Sequence, residues 1–330
     1  MDRAGGFGPP GRGFESHRAL RNFAGSHSQE GENSINGIVS VLKYNSNRSL
    51  SLIKLKSSRS LLRYPGGKSR GAEKIFKYVT KETKEICSPF FGGGSVELLC
   101  ANNGIKVRGY DKFLPLVDFW KSLLNNPKNL AVHVSGWWST GQQGLSKKIH
   151  YKDLQKEVMS PDLTRIERAA LFYVINRTSF SGATLSGGRT PGNPRFTKSS
   201  IQNILDFRDV NKTKNVTVDQ MDFVDSIKKN KKKMMYLDPP YWIESKLYGS
   251  KGDLHFDEAA HLKLSKILSV TDRWILSYND SKKIRDVYSD YTIIPLTWSY
   301  GMKNVKTETM GKSNELLILS HEISKYHGLD

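Results

Sequence analysis

Met234-Met235-Tyr236-Leu237-Asp238-Pro239-Pro240-Tyr241-Trp242 is the stretch whose reading decides the fold. Four bulky apolar or aromatic residues open it, the composition of a strand covered on both faces. Two prolines then end the strand, because neither can donate a ladder hydrogen bond and each fixes φ near −65°. Asp238 precedes a proline and is held extended. The product is a stiff hook at the carboxyl end of a buried strand, carrying a carboxylate, a backbone carbonyl and an aromatic ring. Strands covered on both faces belong to α/β folds, and in open α/β sheets ligands sit at the carboxyl ends of the strands.

Upstream, the chain shows the strand–turn–helix context of a nucleotide site. Ile86-Cys87-Ser88 runs into Pro89-Phe90-Phe91-Gly92-Gly93-Gly94 and then Ser95-Val96-Glu97. Glu97 stands where a dinucleotide fingerprint needs its third glycine, so the loop suits a nucleoside without an anion cradle. The next strand, Lys106–Tyr110, ends at Asp111, 17 residues past Gly94, near the spacing at which an acid reaches ribose hydroxyls; a turn or cap role is the simpler alternative. Earlier still, Leu61-Leu62-Arg63-Tyr64-Pro65-Gly66-Gly67-Lys68 begins the ordered part. A phosphate-binding P-loop is excluded, since Leu62 occupies the place of its first glycine. Two glycines permit close backbone approach, and Lys68 offers an ammonium for a carboxylate.

The hook's three groups suit one chemistry. The exocyclic amine of adenine is a poor nucleophile, its lone pair being delocalised into the ring. Two acceptors aimed at its N–H bonds, the Asp238 carboxylate and the Pro239 carbonyl, draw the nitrogen towards a tetrahedral state, and Tyr241 can stack on the base. Asp238-Pro239-Pro240-Tyr241 after an apolar strand resembles the catalytic motif of Dam-like DNA adenine-N6 methyltransferases, which use S-adenosylmethionine (SAM). The lysine segment resembles that family's N-terminal motif, which implies that Lys68 meets the methionine carboxylate of SAM and that Tyr64 lies beside the cofactor. The glycine loop resembles its Pro-Phe-x-Gly-x-Gly motif, implying cofactor contacts at Pro89, Phe90, Gly92 and Gly94; many members carry an acid where this chain has Ser88. Asp222-Phe223, after the strand Asn215–Val218, resembles the pair beside the SAM adenine, and Asp111 takes the ribose role. The hook's Asp238 also adjoins the cofactor. Lys312-Ser313-Asn314-Glu315 resembles the family's terminal segment.

From 113 to 212 the βα rhythm stops. Helices are expected over 113–124 and 163–174, the second capped by Asp162 or Thr164, with an amphiphilic Trp137-Trp138 region between. Asn176-Arg177-Thr178-Ser179-Phe180-Ser181-Gly182 follows, and then a basic Gly/Pro-rich loop with Arg189, Arg195 and Phe196. Arginines suit phosphates and guanine edges, and a phenylalanine can wedge into a base stack. The family carries target recognition in this interval, which implies DNA contacts by Arg177, Phe180, Ser181, Arg189 and Arg195. Tyr248, in a loop over 244–253 expected to close on the base, is a further contact.

Charge agrees with a polyanionic partner: 51 Lys and Arg against 32 Asp and Glu give +19. The run Lys228-Lys229-Asn230-Lys231-Lys232-Lys233 is nevertheless read as a solvated turn, because it feeds the amino end of the catalytic strand. Two cysteines, Cys87 and Cys100, exclude a disulfide framework or a zinc site, and no catalytic metal is expected. No apolar run approaches the roughly 20 residues of a membrane span. Residues 1–57, rich in Gly, Ser, Asn and Arg, read as a poorly ordered leader. Gly11–Arg18 resembles a translated transfer-RNA gene, and the basic, Ser-rich 36–63 reads as a linker rather than a transit peptide.

These readings give a Rossmann-like, mostly parallel sheet with an antiparallel edge: a SAM-binding catalytic domain over 58–112 plus 213–330, and an inserted, mainly helical target-recognition domain over 113–212. The remaining strands are expected over 273–279, 291–294 and 315–319, and a helix over 256–268 in which His261 is a packing or surface residue rather than a base. The activity implied is methyl transfer to N6 of an adenine flipped out of double-stranded DNA, by a cytoplasmic monomer, with any restriction endonuclease of the same specificity acting separately. The alternatives are an N4-cytosine or RNA amino-methyltransferase on the same fold, and a non-catalytic DNA-binding relic.

Overall fold

Seven strands form one sheet whose order sets the glycine loop beside the hook. In the computed structural model, which describes residues 60–141, 151–185, 188, 195–210, 213–242, 256–299 and 312–329, the strands are β1 (Glu85–Ser88), β2 (Lys106–Asp111), β3 (Val216–Gln220), β4 (Met234–Leu237), β5 (Trp274–Asn279), β6 (Thr292–Ser299) and β7 (Lys312–Leu319). Their order is β3-β2-β1-β4-β5-β7-β6. The first five run parallel, and β7 lies antiparallel to both β5 and β6. The expected Rossmann-like methyltransferase sheet is therefore observed. The leader at 1–57 and the loop at 244–253 lie outside the described residues.

β1 and β4 are neighbours, with Cys87 opposite Met235. Chain order turns back at this pair, since β2 and β3 continue to one side and β5 to the other. Such a switch point opens a crevice at the carboxyl ends of its two strands. All four residues of β4 are buried, as its unbroken apolar run requires. Successive residues of the strands feed opposite faces of the sheet. Ile86, Met234, Tyr236 and Ile275 join one core, while Cys87, Met235, Leu237 and Leu276 join the other.

Helices α1 (Ala72–Phe76) and α2 (Ser95–Asn102) flank β1 in sequence. α1 is short: bonds from the Tyr78 amide to the Ile75 carbonyl and from the Val79 amide to the Phe76 carbonyl tighten the chain just past it and stop it. Between β2 and β3 lie α3 (Leu114–Asn125), α4 (Pro127–Gly141), α5 (Tyr151–Glu157), α6 (Arg165–Thr178) and α7 (Lys198–Val210). α3 packs along β2 and β3 and also against α6, so this interval is joined to the sheet through its own first helix. Thr164, rather than Asp162, caps α6 in a reciprocal box with Glu167, an arrangement contributing about 1 kcal/mol. Behind the cap, buried Arg168 donates to Asp118 of α3 at 2.9 Å and to the Ser160 and Leu163 carbonyls. After β3 come α8 (Phe223–Lys229), α9 (Glu258–Leu268), α10 (Lys282–Val287) and α11 (His321–Tyr326). No described helix is long and apolar enough to cross a membrane.

Candidate active site

The backbone does much of the positioning. Gly92 and Gly94 both adopt positive φ, 48° and 67°, the left-handed region that side chains resist. A Cβ on Gly92 would meet the Tyr64 ring at 2.9 Å. The loop thus bends under Tyr64 and then starts α2. Asp111, at the end of β2, ties this loop in place: Oδ2 accepts from the Gly92 amide at 3.0 Å and Oδ1 from the Phe113 amide at 3.0 Å. Burial pushes its carboxyl up to about 6 against these bonds. Each oxygen keeps a second lone pair for a hydroxyl group.

One cavity of about 420 Å³ joins the carboxyl ends of β1, β2 and β4, a size in the range of ligand sites. Its lining includes every residue that the sequence marks for catalysis, Asp238, Pro239, Pro240 and Tyr241. It also includes the full cofactor set: Tyr64, Lys68, Pro89, Phe90, Gly92, Gly94, Asp111, Asp222 and Phe223. Asp222 caps α8, accepting from the Val224 amide at 2.9 Å. Phe223 stacks on Phe90 with centroids 5.5 Å apart, and Phe256 meets both rings. That trio makes an apolar slot suited to a flat heterocycle.

Lys68 and Asp238 are directly bonded. The ammonium, on a residue only 3% exposed, donates to Asp238 Oδ1 at 2.6 Å and to the Gly66 carbonyl at 2.8 Å. A longer ion pair of 3.6 Å runs to Glu315 Oε2 on β7. The same ammonium lies 4.8 Å from the centroid of the Tyr241 ring. Burial pushes the Asp238 carboxyl up to about 6, and Lys68 opposes the rise.

Two acids of this site carry no role in the sequence reading. Glu315 sits in an apolar strand, Glu315-Leu316-Leu317-Ile318-Leu319, where a buried acid is itself the signal. Glu97 lies in the first turn of α2, lines the cavity, and accepts from Ser88 Oγ at 2.6 Å. A serine in place of an acid at 88 was the only hint.

The basic interval adjoins the cavity through Gly182, Ala183, Thr184 and Leu185, which also line it. Phe180, in a short 3₁₀ turn (Phe180–Gly182), is 63% exposed. Ser181 lies in the same turn. Phe196 corrects one expectation: it is buried edge-on against Trp138 at 5.5 Å, so it is a core residue and cannot act as a wedge. Arg177 binds the Arg195 carbonyl through Nε at 3.1 Å and Nη2 at 2.9 Å. Arg63 stands near both; burial first, then repulsion from Arg195 and Arg177, lowers its pKa. Three guanidinium groups gathered this way favour a polyanion nearby. Arg189 and Tyr248 lie outside the described residues.

His261 is a packing residue. It stacks on Trp242 with centroids 4.7 Å apart, its Nδ1 is 2.6 Å from the Tyr278 hydroxyl, and burial lowers its pKa to about 4. It therefore holds the far end of the hook as a neutral ring. Among the described residues no group of His, Cys, Asp and Glu is arranged to hold a metal.

Comparison with curated proteins found no match. A family model, that of the D12 class N6 adenine-specific DNA methyltransferases, matches residues 64–302. That span runs from the lysine segment through the glycine loop, the helical interval and the hook, and covers more than half of the sequence. The chain belongs to the D12 class N6 adenine-specific DNA methyltransferase family.

Proposed function

We propose that this chain uses SAM as methyl donor and acts on N6 of an adenine turned out of double-stranded DNA into the cavity. The observation that carries this reading is the single cavity shared by the hook and the glycine loop. The family is adenine-specific and acts on DNA; the donor, the extruded base and the residue roles are our reading.

The residues present fit SAM. Asp111 offers acceptor capacity for ribose hydroxyls, the Phe90–Phe223–Phe256 slot fits the nucleobase, and Tyr64 covers the loop between them. SAM, when bound, supplies a methyl carbon made electrophilic by its sulfonium. Lys68 makes two short bonds and one long ion pair, and the long one is the contact it can exchange for the donor's carboxylate. Because Lys68 engages Asp238 Oδ1, Oδ2 is the oxygen left for the amine of the target base. The Pro239 carbonyl is the second acceptor, and Tyr241 packs on the ring. Asp238 is also the nearest base for the proton that N6 sheds. Extruding the base costs a few kcal/mol, which the phosphate contacts of Arg177 and Arg195 and the exposed ring of Phe180 help to offset. Residues 113–212 are the recognition unit in this reading, with Phe180 and Ser181 as its DNA contacts.

Incubation with methyl-labelled SAM and duplex DNA, digestion and mass spectrometry tests the reading. Labelled N6-methyladenine is expected. Labelled N4-methylcytosine, or label in RNA alone, would overturn it. DNA binding without SAM binding would mark a relic.

Asp238 must be ionised to accept both from Lys68 and from the amine. With its pKa near 6, single-turnover rates are expected to hold above about pH 7 and to fall about tenfold per unit below 6. An acid limb near 4 would show that burial does not govern this carboxylate.

The lysine run gives a contrasting expectation. Lys228, Lys231 and Lys232 are exposed, and Lys233 pairs with Glu85 at the amino end of β1. The cavity opens at the other end of the sheet. Changing Lys228, Lys231 and Lys232 together to Gln should alter DNA affinity by less than about threefold, whereas three lost phosphate contacts would cost far more. A tenfold loss by fluorescence anisotropy would put DNA on the wrong side of the sheet.

A further inference from the structure

Glu97 is 3% exposed, yet it faces the cavity. Buried carboxylates are normally paired with a cation. The carboxyl groups of Glu97, Asp238 and Glu315 stand near the buried ammonium of Lys68. Lys68 is committed to Asp238, the Gly66 carbonyl and Glu315. Among the described residues no Lys, Arg or His lies within ion-pair distance of Glu97; Ser88 Oγ holds its Oε1 at 2.6 Å. The hydroxyl fixes the orientation of the carboxyl group without neutralising it. Burial first, then the Asp238 carboxylate, pushes Glu97 up to about 7, with the Ser88 bond and more weakly Lys68 opposing. Such a group waits half-protonated for a positive charge. The site thus carries an unmatched acid pointing into a cavity, the recognition chemistry for a ligand ammonium group.

We infer that Glu97 accepts the α-ammonium group of the cofactor's amino-acid tail, with Ser88 orienting its carboxylate. This rests on SAM being the donor. It also divides the tail: Lys68 meets the carboxylate and Glu97 the ammonium. The loop geometry supports the division, because α2 is capped by Gly94 and brings Glu97 back to the end of β1, where Ser88 sits.

Calorimetry on the full chain tests this with two probes: S-adenosylhomocysteine, and the same compound with its α-amino group replaced by hydrogen. The wild-type chain should bind the desamino probe at least about tenfold more weakly, the loss typical of a charge-assisted bond. Glu97→Gln keeps an acceptor for Ser88 and should fold. It should bind S-adenosylhomocysteine at least about tenfold more weakly than wild type and the desamino probe within about twofold. Ser88→Ala, which keeps the charge and loses the orienting hydroxyl, should narrow the preference for the amino compound about threefold. Equal weakening of both probes by Glu97→Gln would show a structural role and overturn the inference. So would unchanged affinity for both. If the wild-type chain bound neither probe, the choice of donor itself would fall, a result separable from failure of Glu97 alone.

Discussion

Asp238→Ala should lower turnover by more than about a thousandfold while leaving SAM affinity within a few-fold. The size follows from what is lost. Asp238 is one of two acceptors in our reading that raise the nucleophilicity of the amine, and removing one preorganised electrostatic group from a desolvated site costs about 10²–10³ in rate. It is also the nearest base, which adds a further loss. Cofactor affinity survives for a separate reason. Lys68 still has the Gly66 carbonyl and Glu315, and loss of one buried carboxylate frees its ammonium for a ligand carboxylate. Single-turnover assay and calorimetry on the same preparation separate the two effects. Retained turnover would remove Asp238 from the chemistry; turnover and affinity lost together would make it a structural support for Lys68.

Gly109→Ala should lower the melting temperature by roughly 4–6 °C, the equivalent of about 3 kcal/mol in a chain of this length. The position looks harmless, since Gly109 lies inside β2 with an ordinary strand backbone. A Cβ there would come within 2.1 Å of Phe91 Cδ2 and 2.6 Å of Cε2. The Phe91 ring cannot retreat. It is 2% exposed, meets Trp120 edge-on at 5.1 Å, and would lie 2.9 Å from a Cβ on Gly94. Trp120 is itself held by a bond from Nε1 to the Gly92 carbonyl at 3.0 Å. The ring's displacement therefore reaches the loop, and SAM affinity should drop with stability. Adding Phe91→Leu to Gly109→Ala should restore much of the melting temperature. A change under about 2 °C in the single variant would show that Phe91 is not wedged there.

The architecture was largely legible because three of the five parallel strands carry an unambiguous mark. β4 is a continuous apolar run closed by prolines, the turn after β1 holds three glycines, and β2 ends in an acid at a telling distance. Local chemistry fixes such features, and the sheet only collects them. What was not legible depends on distant pairing. Glu97 reads only as a departure from the dinucleotide fingerprint until Ser88 is known to face it. Glu315 reads as the start of an edge strand until β7 is placed beside β5, which brings it to Lys68 across most of the chain. Phe180 and Phe196 are alike on paper; only packing decides that one ring meets Trp138 and the other meets water. The short α1 shows the same limit, its end being set by tightened backbone bonds rather than by a breaking residue.

The position of β7 has a consequence for how the molecule comes into being. β6 is made before β7 but touches the sheet only through it. While synthesis proceeds, β6 has no ladder to join, and Lys68 lacks one of its two acids. The final strand must slot between two segments already made, closing contacts of great sequence separation, a slow kind of event. A nascent polypeptide can hold its first five strands in register and still be without a finished catalytic floor, so competence arrives late and in one step.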